Sequence, residues 1–248
     1  MTIVLILVVY ALLLSIGLAI NGHNCRTGPF EDAPIAKPGR LLIIGATGGT
    51  GRQLLEQALG RGYSVTALVR DPSKLRLDDP RLKVVRGDVM DPDSLKGPMQ
   101  GQDAVLSALG HKRFFYPTRI LSEGTRNVIG AMKEHGVARL VCETSLGIGN
   151  SGFRMGLWYS FIVIPLVLHL YFWDKTRQER LIARSGLDWV IVRPAVLRNG
   201  KKKGRIVHGR DIGNFILTRR ITRADVADFM LDQLENDRYL RAAVGIRN

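Results

Sequence analysis

The chain predicts an α/β fold, a doubly wound parallel sheet behind an N-terminal transmembrane helix, and three observations carry that expectation. From residue 40 onward short apolar runs alternate with amphipathic segments, the pattern of strand–helix–strand crossovers that build a parallel sheet covered on both faces. The first run, Leu41-Leu42-Ile43-Ile44, breaks into a glycine-rich turn and resumes at helical spacing. Residues 1–20 are almost wholly Ile, Leu, Val and Ala with no charged side chain, just long enough at helical rise to cross the hydrocarbon of a bilayer.

Taken in order, residues 1–20 read as a single-pass anchor. The competing reading is a cleaved signal peptide with Gly17-Leu18-Ala19 as its small-x-small site; the lack of Lys or Arg before the apolar run, and the run's length, favour the anchor. Arg26, Lys37 and Arg40 follow it, so positive-inside reasoning places the domain in the cytoplasm. Residues 21–39 mix Gly, Pro, Asn and charges without a period and read as a linker. Residues 40–248 form the domain. Strands are expected at Leu41–Ile44, Ser64–Val69, Leu82–Arg86, Ala104–Ala108, Arg139–Glu143, Trp189–Arg193 and Ala242–Gly245, and helices at Thr50–Arg61, Thr118–His135, Phe172–Ser185 and Arg223–Asn236. Thr222-Arg223-Ala224-Asp225 is a capping pattern for the last helix.

The 248 residues fit one α/β domain plus an appendage. A net charge of +14 suits a nucleic acid or an anionic membrane surface. With no zinc finger, no RNP aromatic motif and no basic recognition helix, the membrane is the expected partner and nucleic acid is not. Of the two cysteines, Cys142 falls in an expected buried strand and Cys25 outside the domain, so no disulfide is expected. His111, His135 and His208 lack metal-ligand spacing, and no metal is expected.

The glycine turn carries chemistry. Gly45 lets the chain leave the strand, Gly48 removes a side chain that would block a pyrophosphate, and Gly51 lets the helix pack close to the sheet. Thr47, Gly49 and Thr50 complete a turn whose first helical N–H groups and dipole face an anion, which is a Rossmann-type dinucleotide site. Arg70 closes the second strand, where a cation pairs with the 2′-phosphate of NADP and an acid would bind the 2′-hydroxyl of NAD. NADPH is therefore preferred over NADH, with Lys74 and Arg76 adding to the basic field; Asp71, next in sequence, keeps the hydroxyl alternative open.

The stretch Gly45-Ala46-Thr47-Gly48-Gly49-Thr50-Gly51, with Ala67-Leu68-Val69-Arg70-Asp71-Pro72, Gly87-Asp88-Val89, Asp174-Lys175 with Glu179, and the segment from Ser185 to Arg193-Pro194, resembles the short-chain dehydrogenase/reductase superfamily. Within it the chain looks most like the atypical branch that includes NmrA-like and biliverdin/flavin reductase-like NAD(P)-binding proteins, over about residues 40 to 245. The resemblance implies that Asp88 and Val89 lie at the adenine edge, with a structural turn at Asp88 as the competing role. Ala108-Leu109-Gly110 would let backbone approach ribose and nicotinamide, and Pro194 joins the cofactor set. It further implies a catalytic set of Ser145, Tyr171 and Lys175: Tyr as general acid, Lys lowering its pKa and holding the ribose, Ser positioning a carbonyl. Tyr171 ends the apolar run Leu157–Phe172, so packing in the core or at a membrane interface competes with catalysis. Atypical members also transfer hydride without a dedicated tyrosine, or bind cofactor without known catalysis.

A second membrane span at Leu157–Phe172 is disfavoured by Pro165 and His169, and would separate the fifth and sixth strands across the bilayer. With Phe114-Phe115-Tyr116 the run instead reads as a buried or lipid-touching pocket wall. The loop Lys201-Lys202-Lys203-Gly204-Arg205 is either a solvated surface or a contact for anionic headgroups. The function expected is a membrane-anchored NADPH-dependent oxidoreductase acting on a small apolar or aromatic molecule: a quinone, flavin or carbonyl compound. The alternative is a non-catalytic NADPH-binding regulator or assembly factor.

Overall fold

The computed structural model describes residues 6–12, 15, 38–111, 114–209 and 211–248. Of the expected span 1–20, residues 6–12 and 15 are helical, and the remainder lies outside the described residues with Cys25 and most of the linker. Among the described residues no helix is long and apolar enough to cross a membrane.

The sheet begins with β1 (Arg40–Ile44), β2 (Ser64–Val69), β3 (Leu82–Arg86), β4 (Ala104–Ser107), β5 (Arg139–Glu143) and β6 (Asp188–Pro194). The chain then adds β7 (Val196–Arg198), β8 (Val207–Gly209), β9 (Arg220–Thr222) and β10 (Ala242–Arg247). Eight of these form one sheet in the order β3-β2-β1-β4-β5-β6-β10-β8, while β7 and β9 pair separately. All neighbours in the large sheet are parallel except β10 and β8. All seven expected strands are present.

The helices are α1 (Gly49–Gly60), α2 (Asp93–Met99), α3 (Ile120–Glu134), α4 (His169–Ala183) and α5 (Arg223–Asp232). The expected α4 begins too late. Tyr159–Leu168 is a wide helix with i→i+5 bonding that runs straight into it. Pro165, which has no N–H to donate and crowds the preceding turn, lies inside this wide stretch. Helix α2 was not expected because Gly97 and Pro98 mask its pattern. At three residues each, β7, β8 and β9 are too short to show a period.

Side chains alternate across β1 as a period of two requires. Leu41 and Ile43 join Leu54, Leu55, Val226 and Met230 from α1 and α5 on one face. Leu42 and Ile44 join Val128, Met132 and Ile182 from α3 and α4 on the other. Two polar devices fix α4. Asp174, wholly buried, accepts from the Leu121 N–H (2.9 Å), the Ser122 N–H (3.1 Å) and the Ser122 hydroxyl, and so caps α3, whose own N-cap Arg119 provides no side-chain cap. Glu179 pairs with Arg193 of β6 at 2.6 Å, both side chains buried, and accepts from the Thr144 hydroxyl at 2.7 Å. The acids of the Asp174-Lys175 and Glu179 pattern thus hold the fold, and Lys175 is left to face the cleft.

Candidate functional site

The sheet order reverses at β1, which feeds β2 on one side and has β4 on the other. In open α/β sheets the crevice at such a switch point, at the strands' carboxyl ends, is where ligands bind. Here it holds a cavity of about 360 Å³ lined from the ends of β1, β2, β3, β4 and β5 and by α4.

The glycine turn forms one wall. Gly45 has φ +82°, and a Cβ there would stand 2.5 Å from the Ala108 carbonyl oxygen. A Cβ on Gly51 would stand 2.0 Å from the Gly45 oxygen, so the helix closes on the strand only through a glycine. The Gly48 N–H bonds to the Gly45 carbonyl at 2.9 Å. Gly48 is the extended N-cap of α1 and gives no side-chain cap, so no capping side chain competes for the first-turn N–H groups.

At the β2 and β3 end stand Arg70, Asp88 and Val89. Arg70 is exposed, and Asp71 is engaged elsewhere: it caps the turn Pro72–Lys74, accepting from the Ser73 N–H (3.2 Å) and hydroxyl (2.7 Å), with the Lys74 ammonium at 3.4 Å. These contacts, the Ser73 hydroxyl foremost, hold its carboxyl below the usual range. Arg52 donates to the carbonyls of Thr47 (3.3 Å) and Lys74 (3.2 Å), tying the glycine turn to the β2–β3 connection. With Lys74 and Arg76 it lines an adjoining open cleft of about 480 Å³. Asp88 lines the cavity while accepting from the Met90 N–H at 3.0 Å, so a turn role and a cavity position coexist.

At the β5 end Lys175 is buried, donates to the Thr144 carbonyl at 3.2 Å and places its ammonium 5.3 Å from the centre of the Tyr171 ring. Burial pulls its pKa down, but the neighbouring Tyr171 and Glu143 outweigh that and hold it above the ordinary lysine value. Glu143 is also buried and accepts from the Thr50 hydroxyl at 3.1 Å. Burial pushes its carboxyl up, against the opposing pull of Lys175, Thr50 and Arg223. Tyr171 is half-buried, edge-on to His111 (4.8 Å) and Phe114 (5.6 Å), beside Gly110.

The cavity therefore brings together Gly45, Thr47, Gly48, Gly49, Thr50, Arg70, Asp88, Val89, Ala108, Leu109, Gly110, Tyr171 and Lys175. Three expected site residues lie outside the lining. Gly51 sits behind the turn. Pro194 is buried at the end of β6, its carbonyl taking the Leu146 N–H at 3.0 Å. Ser145 is half-buried one residue past the lining. Sequence reasoning missed Glu143, Thr144, Leu197 and Arg223. Glu143 had a signal, an acid ending an apolar strand at the ligand edge. Arg223 had none: α5 packs against α1, and its side chain lies over Gly49, where a Cβ would meet it at 2.6 Å, held by Asn199 at 2.8 Å. The Lys201–Lys203 loop is exposed, but Lys202 pairs with Asp228 at 2.6 Å.

A family model described as NAD(P)H-binding matches residues 45–237. An uncharacterized chloroplastic protein of Arabidopsis thaliana is 34% identical over 189 residues, 73% of this chain and 66% of that protein. A photosystem II assembly factor of Synechocystis is 27% identical over 165 residues, 65% of this chain and 46% of that protein. The chain thus spans less than two thirds of these curated relatives' lengths. A short-chain dehydrogenase/reductase of Veillonella parvula, solved in complex with NADP, superposes with a TM-score of 0.73 at 16% identity, over 85% of this chain and 95% of that one. At that identity the likeness is one of fold.

Proposed function

Since the chain belongs to the NAD(P)H-binding family, we propose that it is an NADPH-dependent oxidoreductase of the atypical short-chain type, held at a membrane by its N-terminal apolar segment, its domain on the cytoplasmic side. The observation that carries this reading is that one cavity holds both the uncapped start of α1 and the Tyr171–Lys175 pair, the ammonium 5.3 Å from the centre of the ring. Bound NADPH supplies the hydride. The α1 amides and Arg223 hold its diphosphate, Arg70 its 2′-phosphate, and Lys175 the ribose next to the nicotinamide. Preference for NADPH is supported by the division of labour at the end of β2, where Asp71 is engaged in its own turn and Arg70 lines the cavity. Tyr171 holds a proton at its hydroxyl for the reduced oxygen, with the buried Lys175 ammonium beside its ring. Leu109, Ile120, Leu197 and the ring of Tyr171 add apolar surface to the cavity, suited to a quinone, flavin or uncharged carbonyl compound.

A second reading, an NADPH-binding regulator or assembly factor without turnover, is favoured by the similarity to the Synechocystis assembly factor. Calorimetry with NADPH and NADH, followed by NADPH oxidation against a panel of quinones, flavins and aldehydes, separates them. Turnover abolished by Gly48→Val supports the enzyme. Tight binding without turnover across the panel supports the regulator, and no heat of binding with either dinucleotide overturns both.

A further inference from the structure

The wide helix before α4 presents a surface that the cofactor site does not use. In it and the two residues just before it, Leu157, Ile162 and Val167 are 42%, 38% and 37% exposed, with Trp158 at 63% and Leu166 at 56%. Phe215, Ile216 and Leu217, at 54%, 67% and 54%, extend this ridge from a second segment. The two are joined by the Leu157 N–H to the Ile216 carbonyl (3.3 Å), the Gly156 N–H to the Asn214 carbonyl (2.8 Å) and the edge-on rings of Phe161 and Phe215 (6.2 Å). The Asn214 side chain accepts from the Ile216 and Leu217 N–H groups, both at 2.8 Å, and fixes the tip. At Gly213, φ +113°, a Cβ would stand 2.3 Å from the Arg154 carbonyl oxygen, so the backbones approach as only glycine allows.

Charge and continuity select what covers the ridge. Segments 155–173 and 212–222 contain no acidic residue, and exposed Arg219 and Arg220 follow the tip directly. The helical residues 6–12 lie against the same segment, the Tyr10 hydroxyl donating to the Phe161 carbonyl, and their Ile6, Leu7, Val8, Val9 and Leu12 are themselves exposed. Exposed apolar side chains from three chain segments thus lie together with cations at the ridge tip, the N-terminal segment meeting the ridge at Phe161.

We propose that this ridge seats in the surface of an anionic bilayer, its apolar side chains among the upper acyl chains, Trp158 at headgroup level and Arg219 and Arg220 at the phosphates. Apolar burial supplies the main attraction, and each cation near the surface adds about fivefold to partitioning. Helix α4 continues from the ridge and Tyr171 lines the cavity two residues after His169, so seating brings the cavity mouth to the lipid. Resting on the oxidoreductase reading, the acceptor class then narrows to uncharged molecules dissolved in the membrane; the seating itself does not depend on that reading.

The test uses the full chain with vesicles of phosphatidylcholine and phosphatidylglycerol brominated on the acyl chains. Tryptophan emission falls, and Trp158→Phe removes most of the fall, because Trp189 is buried and Trp173 is stacked under Arg177 at 5.1 Å. A nitroxide at Ile216→Cys, in a Cys25→Ser background, collides more with oxygen than with a water-soluble nickel chelate. Cys142 stays unlabelled, buried with its thiol pushed up to about 12. Arg219→Gln with Arg220→Gln weakens quenching in phosphatidylglycerol vesicles and leaves it unchanged in pure phosphatidylcholine. A vesicle-bound chain whose emission ignores the bromines and whose nitroxide meets the chelate overturns the ridge and leaves the anchor standing. Protection of position 216 by a second copy, without quenching, assigns the ridge to self-association and overturns it too. A chain that stays in the aqueous fraction overturns ridge and anchor together, while NADPH binding on the same sample reports separately on the cofactor site.

Discussion

Glu143 and Thr50 share a hydrogen bond of 3.1 Å that joins the end of β5 to the first turn of α1 across the cavity floor. Burial raises the Glu143 carboxyl pKa. The unfolded chain therefore releases this proton in the ordinary carboxylate range while the folded chain keeps it to higher pH. The folded state binds more protons across that window, and this residue's contribution to stability falls as pH rises through it. Glu143→Gln removes the dependence, so the gap between wild-type and variant thermal midpoints changes as pH rises through and above the ordinary carboxylate range, in the variant's favour at the upper end. A constant gap refutes the assignment.

Arg70→Ala weakens NADPH by at least about tenfold, the worth of a charge-assisted contact to phosphate, and NADH by less than about twofold. Titration calorimetry reads both, and equal losses exclude Arg70 from the choice of cofactor.

Replacing the Tyr171 hydroxyl through Tyr171→Phe lowers kcat by about a hundredfold or more. NADPH affinity is unchanged, since the ring keeps its packing on His111 and Phe114. Unchanged turnover would remove the hydroxyl from the reaction.

The Glu179–Arg193 pair is a matter of stability. Glu179→Ala leaves a buried guanidinium without its carboxylate and costs about 3–5 kcal/mol, whereas Glu179→Leu with Arg193→Met recovers most of it. Denaturant midpoints decide the point, and a single variant within about 1 kcal/mol of wild type would show that the pair is not what joins α4 to β6.

Two glycines in helices answer oppositely to alanine. Gly51→Ala drives a methyl to within 2.0 Å of the Gly45 oxygen and lowers both the thermal midpoint and NADPH binding. Gly130→Ala, in the middle of α3 with nothing within 4 Å of the added carbon, stabilises by about 0.5–1 kcal/mol. Similar effects at the two positions would mean that the turn does not need the close approach.

Much of this architecture is legible from local pattern. The apolar runs of β1 and β5 and the glycine string state strand, turn and helix start because those features depend on neighbours in sequence: alternation, allowed φ and the lack of a side chain. The apolar run ending at Tyr171 was legible only as apolar. Its wide helical winding depends on how Pro165 and the following helix are accommodated, which no period of 3.6 reveals.

By itself the sequence determined the parallel sheet, the anion-facing turn and the cation at the end of β2, since each follows from stereochemistry within a few residues. Only the tertiary structure decided that Asp71 serves its own turn, that Asp174 caps a different helix, that Glu143 and Arg223 share the cavity, and that residues 157–167 and 215–217 form one ridge. Those arrangements join residues far apart in the chain, and the packing of helices on the sheet, which no local pattern encodes, sets which side chains meet.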